Sequence, residues 1–283
     1  MLRDLCLTRY AGSFPNTITI HSSRYGDPMI SEGDYVLVML DARRTWLTKV
    51  ERGKTLHTHK GVLKIDDLIG RPYGCKIKSS TGHTFFALKP IIKDFVMKSK
   101  RITQIIYPKD LGLIVLLSGV GPGSVVVEAG TGSGALTTVL AYYVRPNGHV
   151  YSYDIREDVQ RIARENLERA GLLEYVTLKI KDITKGIDEK NVDAVILDMP
   201  SPWEVVPHAY ESLKPSGTFI SYSPTIEQVK RTVLAMKRHK FVEISTMEVL
   251  LRDIIVEEGR TRPETRMIGH TGYITFARKY VED

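Results

Sequence analysis

The stretch that decides the fold is Val125–Ala141, VVVEAGTGSGALTTVLA. Its valine-rich start predicts a buried strand, its glycines predict a tight turn, and the apolar residues after Gly134 predict a helix. A glycine turn between a strand and a helix brings backbone N–H groups close to a ligand. The stretch therefore predicts a binding site, and the ligand could be a dinucleotide, a nucleoside triphosphate or S-adenosylmethionine.

Strands and helices alternate around this stretch from about Ile102 onward. Pro108 is typical of a helix start, and Gly119 and Gly121 are typical stop signals after it. Alternation of this kind predicts an α/β fold with a doubly wound, Rossmann-like parallel sheet. The predicted strands of this sheet are Ser124–Ala129, His149–Asp154, Tyr175–Lys181, Val192–Asp198 and Gly217–Ser223.

Two helices in this half carry further signals. One has an apolar face, which comprises Ile155, Val159, Ile162, Ala163 and Leu167. The other has an apolar face of Ile226, Val229, Val233 and Met236, after a capping box of Thr225 and Gln228.

The end of the chain departs from the alternation. Phe241–Leu251 and Thr271–Arg278 are predicted strands with no helix between them, joined by the long charged segment Arg252–His270. This pattern predicts a closing antiparallel pair, as in the seven-stranded sheet of methyltransferases.

The first hundred residues have a different sequence pattern. Short segments rich in Val, Thr, Leu and aromatic residues are separated by turn signals and predict a small antiparallel barrel or sandwich. We therefore expect two domains, a basic β-rich domain over residues 1–101 and a catalytic domain over residues 102–283. About the first 25 residues give no clear pattern and are expected to be mobile. The predicted N-terminal strands are Asp34–Leu40, Thr45–Val50, Lys54–Ile65 and His83–Pro90.

Composition excludes several classes of protein. No run reaches the ~18 apolar residues needed to cross a bilayer. Arg3, Asp4 and Arg9 would interrupt the core of any secretion signal. Only Cys6 and Cys75 are present, too few for a disulfide framework, so a reducing cytoplasm is expected.

The net charge of +7 is unevenly distributed. Residues 1–101 hold 18 Lys/Arg against 9 Asp/Glu, whereas residues 102–283 hold 22 against 24. A solvated surface and a basic module that holds RNA both fit this imbalance.

The residues around the glycine turn narrow the choice of ligand. A triphosphate loop would need Lys and Ser or Thr after Gly134, but Ala135 and Leu136 stand there. The dinucleotide fingerprint is harder to dismiss. Gly130, Gly132 and Ala135 satisfy it, and Asp154 ends the next strand where a ribose-binding acid belongs.

Three features favour S-adenosylmethionine. Glu128 lies just before the turn, where an acid suits an ammonium group better than a pyrophosphate. The start of the following helix has no Lys or Arg to pair with phosphates. The fourth strand ends in DMPSPW, Asp198–Trp203, where open α/β sheets place their sites. A strand-end structural acid remains the alternative for Glu128, and a helix cap remains the alternative for Asp198.

With these motifs, the chain resembles the tRNA adenine-N1 methyltransferases that modify adenosine 58 of the T-loop, most closely their archaeal form. The resemblance runs from about Gly33 to Lys279, and Asp154 departs from it because relatives often have Glu there. It implies tRNA as the partner and a homotetramer, with neither a metal ion nor a membrane. The segments that carry the resemblance are GVLKIDDLIG (Gly61–Gly70), TQIIYPKD (Thr103–Asp110), EAGTGSG (Glu128–Gly134), YSYDIRED (Tyr151–Asp158), DMPSPW (Asp198–Trp203) and RPETRMIGHTGY (Arg262–Tyr273).

The resemblance also implies roles for individual residues. Asp198 is the catalytic candidate, because a carboxylate that accepts from the adenine N6 amino group orients N1 and stabilises its developing positive charge. Asp154 is expected to bind the ribose of S-adenosylmethionine, and Asp182 with Ile183 its adenine. The other expected cofactor contacts are Gln104, Glu128, Gly130, Thr131, Gly132, Ser133 and Gly134, and the expected substrate contacts are Tyr107, Trp203, Arg262 and His270.

Several alternatives stay open at this point. Asp182 could be a solvent-facing turn residue, Trp203 a core residue, and Arg262 and His270 structural polar groups. The chain could be another methyltransferase that acts on a protein or a tetrapyrrole, a nicotinamide-dependent oxidoreductase, or a non-catalytic RNA-binding subunit. Methylation of adenosine 57 is also undecided.

Overall fold

A computed structural model describes residues 29–282 of the chain. The expectations about Cys6 and about the first 25 or so residues lie outside this described part.

Six short strands form the N-terminal domain. Strands β2, β1, β6 and β5 form an antiparallel sheet in that order, and β3 and β4 form a separate hairpin. Val36, Leu63 and Phe85 are fully buried in one core that the sheet and the hairpin share. The predicted antiparallel β domain is therefore confirmed. The strands are β1 (Tyr35–Asp41), β2 (Arg44–Lys49), β3 (Thr55–Thr58), β4 (Gly61–Lys64), β5 (Cys75–Lys78) and β6 (Thr84–Leu88).

One strand prediction in this domain was wrong, and one strand was not predicted. Lys54–Ile65 is a hairpin rather than one strand, because the chain reverses just before Gly61, whose φ is +95°. Strand β5 was missed, because only Ile77 among its residues is buried and its two lysines face solvent.

Seven strands form the second sheet, in the order β12-β15-β11-β10-β7-β8-β9. Neighbours from β11 through β9 run parallel, whereas β15 is antiparallel to both β11 and β12. The predicted seven-stranded methyltransferase sheet with its closing antiparallel pair is confirmed. Its strands are β7 (Val125–Ala129), β8 (His149–Asp154), β9 (Val176–Ile180), β10 (Val192–Leu197), β11 (Leu213–Ser223), β12 (Phe241–Glu248) and β15 (Tyr273–Lys279); a small hairpin, β13 (Ile254–Ile255) with β14 (Arg262–Pro263), lies between the last two.

Helices cover both faces of this sheet. Helices α2, α3 and α4 bury apolar side chains against one face, and α5 and α6 cover the other. Pro108 begins α2, and Gly119 ends it in the left-handed conformation, as predicted. The helices are α1 (Ile92–Met97), α2 (Pro108–Ser118), α3 (Ala135–Val144), α4 (Glu157–Ala170), α5 (Pro202–Ser212) and α6 (Ile226–Arg238).

The predicted helix faces need two corrections. Ile155 precedes α4 and is 69% exposed, so it does not belong to the buried face of that helix. Ile226, in the first turn of α6, is also exposed. The hydroxyl of Thr225 accepts from the backbone N–H of Gln228, as predicted, but the Gln228 amide donates to the Pro200 carbonyl. Helix α6 is thereby bonded to the DMPSPW segment.

Helix α1 joins the two domains. It lies before the predicted boundary at residue 102, yet its Val96 is buried in the core of the seven-stranded sheet beside α2 and α3. The exact division of the chain into domains stays a prediction.

Candidate active site

The carboxyl ends of β7, β8, β9 and β10 meet at one edge of the sheet, where the chain order reverses on either side of β7. Open α/β sheets bind ligands at such a point. A cavity of about 710 Å³ opens there. It is lined by Thr103, Gln104, Ala129, Gly130, Gly132, Tyr153, Asp154, Ile155, Arg156, Lys181, Asp182, Ile183, Thr184, Lys185, Asp198, Met199, Pro200, Ser201 and Glu204.

The glycine turn passes directly against the end of β10. Gly130 has a φ of +88°, and a Cβ built on it would lie 1.8 Å from the carbonyl oxygen of Asp198. The backbone N–H of Asp198 in turn donates to the Ala129 carbonyl at 2.8 Å. Only glycine fits at position 130, and its fit sets Asp198 beside the turn.

Asp154, at the end of β8, is hydrogen-bonded to the glycine turn. One carboxylate oxygen accepts from the N–H of Gly132 and the other from the N–H of Arg156, both at 3.0 Å. Exposed Ile155 follows and offers an apolar side chain to the cavity. The acid therefore joins the turn after β7 to the end of β8 at the cavity wall.

Asp182 lies at the next strand end, as predicted. Its Oδ1 accepts from the hydroxyl of Thr184 at 2.6 Å and from its N–H at 2.9 Å. The Thr184 hydroxyl is the main cause that lowers the pKa of Asp182. Among the described residues no donor bonds Oδ2, so this ionised carboxylate, which lines the cavity, retains a free acceptor oxygen.

Asp198 has the most distinctive environment of the lining acids. No donor from the described residues bonds its carboxylate, and burial raises the pKa of Asp198 to about 7. The alternative of a helix cap is not borne out, because the N-cap of α5 is Ser201. A desolvated carboxylate without a partner is suited to accept a hydrogen bond from a ligand.

Glu128 does not line the cavity. It is fully buried within the domain, and neither carboxylate oxygen has a hydrogen-bond partner among the described residues. Burial raises the pKa of Glu128 to about 8, so the group is mostly neutral at pH 7. Its expected contact with the cofactor stays a prediction that this geometry does not support.

The remaining residues of the turn are held by the protein. The hydroxyls of Thr131 and Ser152 lie 2.7 Å apart. The hydroxyl of Ser133 accepts from the N–H of Ile102 and lies 3.0 Å from the Thr103 hydroxyl. Thr131 and Ser133 line only a small adjoining cavity of about 20 Å³.

Gly134 marks the start of α3. A Cβ on Gly134 would come within 3.0 Å of the Ala163 Cβ, so this glycine allows α3 and α4 to pack closely.

The four expected substrate contacts are absent from the cavity lining. Tyr107 precedes α2, and Trp203 is half-buried under the guanidinium of Arg231 at 5.0 Å. Arg262 is exposed and donates to Pro263 and Thr265. His270 lies within 2.6 Å of the Glu248 carboxylate and 2.9 Å of the Pro224 carbonyl, which together raise the pKa of His270.

Sequence reasoning missed several lining residues. Ile155, Arg156, Lys181 and Thr184 each follow a strand end within a few residues, and this position was the available signal. Met199, Ser201 and Glu204 lie inside or next to DMPSPW, but no binding or catalytic role was predicted for them. Thr103 lies in TQIIYPKD, and nothing in the sequence indicates that its hydroxyl lies beside that of Ser133.

Known proteins match both parts of the chain. The family described as tRNA methyltransferase complex GCD14 subunit matches residues 85–262. The TrmI-like N-terminal family matches residues 29–77. The chain belongs to the TrmI tRNA methyltransferase family.

Individual relatives and solved structures are similar to this chain along nearly their whole length. The tRNA (adenine(57)-N(1)/adenine(58)-N(1))-methyltransferase TrmI of Methanocaldococcus jannaschii is 41% identical over 260 residues, 81% of this chain and 92% of that protein. The crystal structure of tRNA (m1A58) methyltransferase TrmI from Aquifex aeolicus is 30% identical with a TM-score of 0.78, and covers 90% of this chain and 100% of that chain. A structure titled SAM-dependent O-methyltransferase from Thermotoga maritima is 37% identical with a TM-score of 0.85, covering 90% and 96%.

The cavity fits S-adenosylmethionine, the cofactor of this family. Because Gly130 packs against Asp198 without a side chain, the backbone of the turn forms part of the cavity wall. The amino-acid end of the cofactor can bind against this backbone. Asp154 and Asp182 line it with carboxylate oxygens, which can accept hydrogen bonds from hydroxyl and amino groups. Ile155 and Ile183 present apolar side chains for an adenine ring.

Proposed function

We propose that the protein transfers a methyl group from S-adenosylmethionine to N1 of adenosine 58 in the T-loop of tRNA. The observation that carries this proposal is the unpartnered, desolvated carboxylate of Asp198 beside the glycine turn. The archaeal relative is named for adenosines 57 and 58 together. Adenosine 57 is therefore proposed as a second target.

Asp198 performs two tasks in this reaction. As a carboxylate it accepts from the adenine N6 amino group and so fixes the N1 lone pair toward the methyl donor. When bound, S-adenosylmethionine supplies an electrophilic methyl group. Positive charge then grows on the adenine ring, and the negative charge of Asp198 stabilises it more strongly than it stabilises the neutral base. No general base is needed before the attack, because N1 of neutral adenine carries a free lone pair.

The tRNA must present its target outside the stack. The N1 edge of adenine is normally occupied by pairing, so the base has to be flipped into the cavity. Tyr107, Trp203, Arg262 and His270 remain proposed contacts of tRNA. His270 is bonded to the Pro224 carbonyl, which follows β11, the neighbour of the strand that ends just before Asp198.

We also propose the homotetramer that the resemblance implies. The segment between β12 and β15 exposes large apolar side chains that one copy of the described chain leaves uncovered, as expected for a surface that a second copy covers. They are Leu250, Leu251, Ile254, Val256, Met267 and Ile268. No helix among residues 29–282 is both long and apolar enough to cross a membrane. A reducing cytoplasm stays the proposed location, on the ground of the two cysteines.

The decisive experiment is methylation of an unmodified tRNA transcript with labelled S-adenosylmethionine, followed by mapping of the modified nucleoside. We expect 1-methyladenosine at position 58, and no label at that position in a transcript with guanosine there. A 2′-O-methylated nucleoside, or label on protein alone, would contradict the proposal. Calorimetric titration with NAD and S-adenosylmethionine separates it from an oxidoreductase, since we expect only the second to bind.

A further inference from the structure

A second cavity, of about 1320 Å³, lies away from the glycine turn, between the N-terminal domain and the far ends of α3 and α4. We call it the interdomain groove. It is lined by Gly33, Asp34, Tyr35, Lys49, Tyr73, Lys89, Pro90, Ile91, Ile92, Phe95, Lys100, Tyr142, Tyr143, Arg145, Glu165, Glu168, Arg169, Ala170 and Gly171.

Aromatic rings stand exposed along one wall of the groove. Tyr142 and Tyr143, in the last turn of α3, are 42% and 43% exposed, and their ring centroids lie 5.5 Å apart, edge to face. The guanidinium of Arg145 lies over the Tyr142 ring at 4.4 Å. The two rings are therefore held in place, although a large part of each is open to solvent.

A second group of aromatic rings, half-buried Tyr35 and Phe95, also lines the groove. The ring of Tyr35, from the N-terminal sheet, meets the ring of Phe95 at 5.8 Å. The guanidinium of Arg169 lies over the Tyr35 ring at 5.9 Å. Each of the two aromatic groups thus has an arginine over one of its rings.

Positive charge dominates the lining. Five Lys and Arg side chains face three Asp and Glu, and one pair, Lys100 with Glu165, is joined at 2.6 Å. Arg145 and Arg169 donate to the backbone carbonyls of Tyr142 and Lys98 rather than to carboxylates. Their charge is not neutralised by an ion pair within the described part of the chain.

A short linker connects the groove with the active site. Lys100 lines the groove and Thr103 lines the cofactor cavity. The buried amide of Asn166 accepts from the Lys100 N–H and donates to the carbonyls of Lys100 and Ser133, each at 2.9 Å. The groove is therefore fixed relative to the glycine turn.

We propose that the interdomain groove binds an unpaired stretch of the tRNA that is being methylated. Unpaired bases stack on Tyr142 and Tyr143, while Arg145 and the lysines hold phosphates. Exposed aromatic faces interleaved with cations are the chemistry that recognises single-stranded nucleic acid. The inference rests on the proposed function, since it takes the bound RNA to be the substrate.

The test compares a variant without rings with one that keeps them. In Tyr142→Ala/Tyr143→Ala the dissociation constant for tRNA, measured by fluorescence anisotropy, should rise at least fivefold for each stack that is lost. Tyr142→Phe/Tyr143→Phe should stay within about twofold of the wild type. Arg145→Gln should reduce by about 1 the slope of log affinity against log salt. Affinity for S-adenosylmethionine and kcat at saturating tRNA should be unchanged in all three variants.

Two outcomes would overturn the inference. One is a tRNA affinity within twofold of wild type for the double alanine variant, with its fold verified by cofactor binding. The other is unchanged RNA affinity with an altered oligomeric state, which would make the groove an interface between copies of the chain. Failure of the wild type to methylate tRNA would instead refute the proposed function, because RNA binding is measured separately from methylation.

Discussion

The ammonium group of Lys109 donates to the hydroxyl of Thr271 at 2.7 Å, across 162 residues of sequence. It also donates to the Val249 carbonyl at 2.7 Å and to the Asp110 carboxylate at 2.9 Å. The Thr271 hydroxyl in turn donates to Asp110 at 2.8 Å. The buried ion pair of Lys109 and Asp110, both in the YPKD segment, is therefore hydrogen-bonded to Thr271 of the terminal GHTGY segment.

We expect Lys109→Met to destabilise the protein by about 3–5 kcal/mol, because it leaves the fully buried carboxylate of Asp110 without its cation. Urea unfolding at pH 7 measures the loss. The double variant Lys109→Met/Asp110→Asn should recover most of it, and Lys190→Met, at an exposed position, is the control. A loss below about 1 kcal/mol in the single variant would show that the pair does not anchor the terminal segment.

Asp154→Ala should weaken S-adenosylmethionine binding by about 1.5–3 kcal/mol. The substitution removes the proposed ribose acceptor and also frees the N–H groups of Gly132 and Arg156. Calorimetric titration gives the dissociation constant. Asp158→Ala, which removes a nearby exposed acid paired with Arg156, should leave it unchanged. Equal constants for wild type and Asp154→Ala would refute the role of Asp154.

Asp198→Asn should slow methyl transfer by about 10²–10⁴-fold, because the amide accepts a hydrogen bond but carries no negative charge. Affinity for tRNA should change little, since it depends mainly on phosphate contacts. Single-turnover methylation with saturating cofactor and excess enzyme isolates this step. A rate within threefold of the wild type would rule out a charge-dependent role.

The methylation rate should also depend on pH through Asp198. Burial raises the pKa of this carboxyl to about 7, so it takes up a proton as the pH falls through that value. We expect the wild-type rate to be maximal above pH 7 and to fall toward about tenfold per unit below it. Asp198→Asn should lack this dependence, and a wild-type rate that is flat from pH 5.5 to 8 would contradict the assignment.

Glu128→Gln should stabilise the protein at high pH. Burial raises the pKa of Glu128 from 4.5 to about 8, so unfolding releases a proton between these values and the wild-type stability falls as pH rises through this window. The variant should gain on the wild type by up to about 1.4 kcal/mol per pH unit. Denaturant unfolding at pH 5 and pH 8 tests this, with exposed Glu258→Gln as control. A constant difference would mean that Glu128 is ionised in the fold.

The basic N-terminal domain should contribute to tRNA affinity. Replacing exposed Lys64, Lys76 and Lys78 together by Gln should weaken binding uniformly across tRNA sequences. It should reduce the slope of log affinity against log salt by up to about 3. The matched triple variant at exposed Lys190, Lys230 and Lys237 should change neither quantity. Equal effects of the two triple variants would mean that the uneven charge has no bearing on RNA binding.

The parallel sheet could be predicted because its strands are buried runs that end at polar residues. The predicted and observed bounds of β8, His149–Asp154, are identical for this reason. Short half-exposed elements such as β5 and α1 could not be found in this way, since they bury only Ile77 and Val96 respectively. Their conformation depends on tertiary packing rather than on a local apolar pattern.

In the site, too, the residues at strand ends could be predicted, whereas those placed by tertiary contacts could not. Asp154, Asp182 and Asp198 line one cavity because parallel strands end at one edge, which follows from chain order alone. Glu128 lies within β7, and successive side chains of a strand point to opposite faces, so proximity in sequence did not bring it to the cavity. The orientation of Trp203 depends on its contact with Arg231 of another helix, which no local pattern reveals.

Lys109 donates hydrogen bonds to the Val249 carbonyl and to the Thr271 hydroxyl, and these two residues flank the segment 250–270. The bonds therefore hold the two ends of that segment together. Strands β12 and β15 pair up to Glu248 and Tyr273, so both ends of that segment are fixed before it leaves the sheet. The entropy of closing a loop whose ends are already fixed grows only slowly with its length. We therefore expect that the length of the exposed stretch 250–261 can be changed by design without disturbing the pairing of β12 with β15, provided that Arg262 and His270, the proposed tRNA contacts, are kept.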